Sequence, residues 1–247
     1  MLPFGSPHYN TRCKLKSKTI LITEKISWSP LDAAKAIGFV LVVGLLLISI
    51  LGPILIVLGG DATTLPLLLS VLLEGTFLFA VWLFGPWRYG QSWGALGMSL
   101  RMSGSVYWGF LAFMAIFVVS VVYTSLVSSF GPDTLLPPRM SDEFSNGGVI
   151  TTLAFAVIVL VAPFAEETFF RGFLLPVFVG RMGFVKGACA VSLLFAAGHM
   201  SLGLLAPAFV SGMILAWVYY KTGSLWASWI AHTAQNLLAF VATVSSN

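Results

Sequence analysis

Two adjacent carboxylic acids, Glu166 and Glu167, interrupt an apolar stretch, and Arg171 follows about one helical turn later. Two of the three histidines, His199 and His232, also lie in apolar runs, and Asn236 follows His232 by four residues. Side chains of these types can hydrolyse an amide. A carboxylate takes a proton from water, an imidazole orients the water or shares its proton, and imidazole and amide N–H groups steady the developing oxyanion. On a helix, Glu167 and Arg171 share a face and can pair, whereas Glu166 is rotated by about 100° toward a different wall. His232 and Asn236 project from one face, and so do Phe195 and His199. Ionisable groups in a hydrocarbon setting are costly and are functional candidates by default. Here a carboxylate, two imidazoles and an amide come from three helices at similar depth, which chance scatter rarely produces. Glu74, the lone acid in another apolar run, reads instead as structurally paired or as snorkelling to the lipid interface.

The composition says what must hold these groups. Hydrophobic types make up 58% of the 247 residues and charged types 9%. A soluble domain carries about 25% charged residues, so both a soluble globular domain and a disordered chain are excluded. The expected fold is all-α: a polytopic transmembrane bundle of about seven to eight helices around an intramembrane polar cavity. Uncharged runs give spans at 36–60, 62–87, 106–130 and 144–165. A short continuation to Gly180 follows, bent at Pro176. The run 187–220 is too long for one span, and Ser201, Leu202, Gly203 and Pro207 predict a break within it. A seventh span starts near Leu225. Residues 1–35 form a basic tail and residues 36–247 a single membrane domain. The segment from Gln91 to Arg101 reads as interfacial. Ala208, Gly212 and Ala216 make a row of small residues for close helix packing.

Charge placement sets the orientation. The net charge is +4, and Arg12, Lys14, Lys16, Lys18, Lys25 and Lys35 all precede the first span. Basic and acidic loops then alternate, with Arg139 the exception, which places the N-terminus in the cytoplasm. No basic stripe with interleaved aromatics suggests nucleic acid. Cys13 and Cys189 form neither a disulfide framework nor a metal spacing. No cleavable signal peptide is expected.

Three blocks in order, Glu166-Glu167-Thr168-Phe169-Phe170-Arg171, Phe195-Ala196-Ala197-Gly198-His199 and His232-Thr233-Ala234-Gln235-Asn236, resemble the CAAX-protease and bacteriocin-processing family of intramembrane proteases. The eukaryotic members of that family are type II CAAX prenyl endopeptidases. The resemblance covers about residues 145–240. It implies roughly eight helices around a water-accessible cavity open to the cytoplasmic side, and peptide-bond hydrolysis by a glutamate-activated water. It further implies that Glu166 and His199 bind and activate the water. His232 and Asn236 would stabilise the oxyanion, and Glu167 and Arg171 would hold the site together. The implied partner is a peptide or protein, lipidated or membrane-embedded, and the implied location is a membrane, the plasma membrane in a prokaryote.

Alternatives share these residues. No cofactor is the first expectation, but Glu166, His199 and His232 could bind zinc, although HExxH is absent. A non-catalytic immunity or regulatory protein could use the same fold. A proton-relaying transporter would call for related halves, and no internal symmetry is visible.

Overall fold

The structure, a computed structural model, describes residues 26–61, 64–98, 103–138 and 147–245. Most of the basic tail, and Arg101, Arg139, Asp142, Glu143 and Phe144, lie outside the described residues. Seven long helices follow one another: α1 (Pro30–Val57), α2 (Thr64–Phe84), α3 (Ser103–Phe130), α4 (Gly148–Met182), α5 (Phe184–Gly198), α6 (Leu202–Thr222) and α7 (Leu225–Ser245). The described residues form helices joined by turns, without strands. Helices α1, α2, α3, α4 and α6 are long and apolar enough to cross a membrane. Helix α5 has only 15 residues, and α7 loses apolarity to His232, Thr233, Gln235 and Asn236. Many outward side chains, such as Leu45, Ile54, Val118 and Val122, stay exposed, as lipid-facing residues do.

Local chemistry explains where the elements begin and end. Helix α1 starts at Pro30, six residues before the uncharged run, because Ser29 and Asp32 form a reciprocal capping box with proline at the first helical position. Asp32 also accepts from Tyr89 Oη at 2.6 Å and pairs with Arg88 at 3.4 Å, which ties the start of α1 to the short helix Pro86–Tyr89 just after α2.

Three stretches widen to π-helix: Leu47–Leu51 in α1, and Ala156–Val161 and Thr168–Leu174 in α4. Each ends two residues before a proline, namely Pro53, Pro163 or Pro176. A proline ring clashes with the carbonyl four residues back, and a widened preceding turn moves that carbonyl aside. Helix α4 therefore runs unbroken past Pro176 to Met182, where the sequence predicts a span ending at Ala165 and a bent continuation. The π stretches of α4 also offer carbonyls to other elements. Trp28 Nε1 donates to Phe173 at 3.0 Å, Asn236 Nδ2 to Ile158 at 2.9 Å and Trp229 Nε1 to Leu160 at 3.3 Å.

The expected break in the long run falls at His199 to Ser201, where Met200 takes a positive φ of 48°. Pro207 does not take part in it. It lies early in α6, where its missing N–H leaves only the Gly203 carbonyl without its helical donor. The row of small residues packs as expected, with Ala208, Gly212 and Ala216 all buried. A Cβ on Gly212 would come within 2.9 Å of Ser192 Cβ, so glycine sets the approach of α6 to α5. The 91–98 segment is not simply interfacial. Trp93 stays exposed, but Leu96 is wholly buried. The backbone of Leu96 reaches Gly172, where a side chain would sit 3.2 Å from its carbonyl oxygen.

Candidate active site

Burial of charge organises the centre. Arg171 and Glu167 are both 0% exposed and pair through Nη1 and Oε1 at 2.7 Å, one turn apart on α4 as their spacing predicts. The guanidinium also reaches the Gly212 carbonyl at 3.4 Å and lies 4.3 Å from the Phe195 ring centroid. Removing either partner of such a buried pair typically costs about 3–5 kcal/mol, because the other charge is stranded.

From α7, His232 enters between the two glutamates. Its Nδ1 is 3.0 Å from Glu167 Oε1, and its Nε2 is 3.6 Å from Glu166 Oε2. The neighbouring carboxylates thus face different nitrogens of one imidazole, as the rotation between adjacent helical residues demands. Glu167, already anchored by Arg171, orients the ring through Nδ1. The Glu166 side chain is 19% exposed, whereas Glu167 is sealed. Glu166 is therefore the carboxylate that water can reach. With His232 as imidazolium, Glu166, Glu167, Arg171 and His232 carry no net charge together.

His199 caps the end of α5 and is half-buried. Its Nδ1 lies 2.9 Å from the Phe195 carbonyl. A carbonyl only accepts, so Nδ1 carries a proton, and in the neutral ring Nε2 presents a lone pair. No ion pair or hydrogen bond joins His199 to Glu166 or His232 among the described residues. The connection runs through Phe195, whose ring stands 4.8 Å from His199 and 5.6 Å from His232, edge-on to both. Asn236 shares the His232 face of α7, but one of its two amide N–H groups is used by Ile158 of the π stretch. The structure thus joins Glu166, Glu167, Arg171 and His232 directly, brings in His199 through an aromatic ring, and gives Asn236 a backbone partner.

Two side chains beside the centre make contacts that the sequence reading does not assign them. Phe195 packs against Arg171, His199, His232 and Phe170, whose ring is 5.3 Å away. Its position one turn before His199 was the only available signal. Glu74 does not snorkel: it is 4% exposed in the middle of α2, and its electrostatic neighbour is Glu166. An acid far from both helix ends was that signal.

Beside the centre, an apolar groove of about 270 Å³ passes between α1, α2, α4 and α5, lined among others by Val40, Leu73, Phe77, Phe170, Ala197 and Gly198. This groove is apolar, whereas the sequence predicts a polar cavity. Among the described residues, no three His, Cys, Asp or Glu side chains gather as a metal ion requires.

Residues 148–238 match the family described as Type II CAAX prenyl endopeptidase Rce1-like. The matched segment contains Glu166, Glu167, Arg171, His199, His232 and Asn236, so the resemblance read from the three blocks is shown for the part of the chain that builds the centre. The chain is also similar to an Escherichia coli protein titled "Uncharacterized 24.3 kDa protein", with 32% identity over 131 residues. That alignment takes in 50% of this chain and 60% of the relative, so the chain covers less than two thirds of the relative's length. No solved structure matches.

Proposed function

We propose that the chain is an integral membrane endopeptidase that hydrolyses a peptide bond at the Glu166–His232 centre. The observation that carries this reading is the division of labour between the adjacent glutamates. One is sealed in a salt bridge and orients an imidazole, and the other is partly open and faces the same ring.

Water bound at Glu166 gives its proton to that carboxylate, and the resulting hydroxide attacks the peptide carbonyl carbon. His199 Nε2 accepts the second hydrogen of the water and aims its lone pair. The carbonyl π electrons move onto oxygen. The imidazolium N–H of His232 and the remaining N–H of Asn236 supply the charge stabilisation this oxyanion needs. When the tetrahedral centre collapses, the C–N bond breaks and Glu166 returns its proton to the leaving amine. Glu167 and Arg171 hold His232 in place.

No cofactor takes part in this scheme, and a strong chelator is expected to leave activity unchanged. The substrate is a peptide or protein segment delivered from the membrane. The apolar groove next to His199 suits an extended apolar or lipidated chain. The N-terminus is assigned to the cytoplasmic side from the loop charges, and the plasma membrane is the assigned location in a prokaryote.

The test compares membrane proteomes of cells carrying the wild-type chain or Glu166→Gln, with new peptide termini labelled. At least one cleaved peptide is expected in the wild type only, persisting in chelator. An identical set of termini in both would refute the peptidase, and loss of the peptide in chelator would refute the metal-free scheme.

A further inference from the structure

Helix α2 brings a third carboxyl to the centre, and nothing above gives it a task. Glu74 sits eleventh of the 21 residues of α2 and is 4% exposed. Its Oε2 is buried without a hydrogen-bond partner. The packing of α2 on α4 fixes where it points. Phe77, one turn on, lies 4.9 Å from Phe169 and 5.8 Å from Phe170. Stepping back one turn on both helices brings Glu74 opposite Glu166, its electrostatic neighbour. The two helices therefore run side by side in register, and the register sets carboxyl against carboxyl.

The surrounding charges are few. Glu166 faces Glu74 from α4, with His232 of α7 and the Glu167–Arg171 pair behind it. Helix α1 contributes nothing at this level, because Asp32 and Lys35 lie in its first two turns. Arg171 is committed to Glu167 and Gly212. No cation among the described residues is left for Glu74, so an ionised Glu74 would add an uncompensated buried charge beside the Glu166 carboxyl. Such carboxyl pairs share a proton.

We propose that Glu74 is a positioning residue of the centre: its carboxyl stays protonated and donates that proton in a hydrogen bond to Glu166, directing the other Glu166 oxygen toward His232. The hydrogen bond fixes the rotamer of the partly open glutamate and keeps a second negative charge away from it. An uncharged donor of the same shape can replace it, whereas an apolar side chain cannot.

Infrared spectroscopy of the full chain in lipid vesicles at neutral pH tests the protonation without any substrate. The wild type is expected to show a carboxylic-acid carbonyl band that disappears in Glu74→Gln and shifts in Glu166→Gln. The second variant leaves Glu74 untouched, so it reports even when a change at Glu74 disturbs folding. A band that survives Glu74→Gln, or one unmoved by Glu166→Gln, overturns the proposal. The kinetic arm rests on the proposed peptidase. Glu74→Leu should lower kcat roughly 10- to 100-fold with KM held within about twofold, and Glu74→Gln should restore kcat to within about threefold of wild type. Full kcat in Glu74→Leu also overturns it. Absence of peptidase activity in the wild type, with the infrared shifts present, refutes the proposed function and leaves the carboxyl pair standing.

Discussion

The chain makes a π-helical turn ahead of Pro53 in α1 and another ahead of Pro176 in α4, and the two sit in opposite surroundings. None of Leu47–Leu51 is buried, and Ile48 and Ile50 are each about half exposed. All seven residues of Thr168–Leu174 are buried, among them Arg171, the largest side chain fully out of contact with solvent. The backbone device is common to both and has a common cause in the proline that follows. The difference lies in what each widened turn is given to hold. The first carries apolar side chains and Ser49, with no charged group. The second carries an arginine paired with Glu167, and Trp28 donates to its Phe173 carbonyl. A π turn alone therefore predicts no site; a π turn with committed charges and borrowed hydrogen bonds does.

The sharpest way to break this comparison is to remove the partly open carboxylate just ahead of the α4 stretch. Glu166→Gln should reduce peptide cleavage about 10²- to 10⁴-fold, whereas Ile50→Gln on the exposed stretch should leave the rate unchanged, both measured on purified protein. Next comes the buried pair. Arg171→Met should destabilise the fold by about 3–5 kcal/mol, read from thermal unfolding in detergent, and joint replacement with Glu167→Leu should recover part of that loss.

The prolines test the shared device directly. Pro176→Ala should let the turn relax toward α-helix, rotate Arg171 against Glu167 and lower activity by about tenfold, the scale of roughly 1.4 kcal/mol at the transition state. Pro53→Ala should change neither activity nor unfolding. The smallest expected contrast is between two glycines. Gly212→Ala forces a Cβ against Ser192 and should cost about 1–3 kcal/mol. Gly38→Ala in α1 meets nothing within 4 Å and should be neutral or stabilising by under about 1 kcal/mol.

Much of this was legible before any coordinates. Apolar runs bounded by charges, with one run split at its Ser201-Leu202-Gly203 break, located the seven long helices, because the hydrocarbon environment tolerates few other patterns. The Glu167–Arg171 pair followed from a four-residue spacing, and the different wall for Glu166 from the helical rotation. What the sequence hid was relational. Asn236 meets the Ile158 carbonyl only because a π stretch turns that carbonyl outward. Phe195 stands between the two imidazoles because Gly212 lets α6 press on α5 and Arg171 covers its ring. Glu74 looked like a solitary acid because its partner is on a helix remote in sequence, and the register of α2 on α4 cannot be read from spacing within either helix. The sequence expects a separate, bent continuation after Ala165, because Pro176 looks like a helix breaker until the π turn before it is seen.

The central claim is that a water held at Glu166 adds across an amide inside this bundle. The most direct measurement is a single-turnover cleavage of the identified peptide by purified protein in lipid vesicles prepared in ¹⁸O-labelled water. The account predicts one labelled oxygen in the new carboxyl terminus with the wild type and no detectable product with Glu166→Gln over the same interval. Equal cleavage by both proteins, or a new terminus without the label, would contradict it.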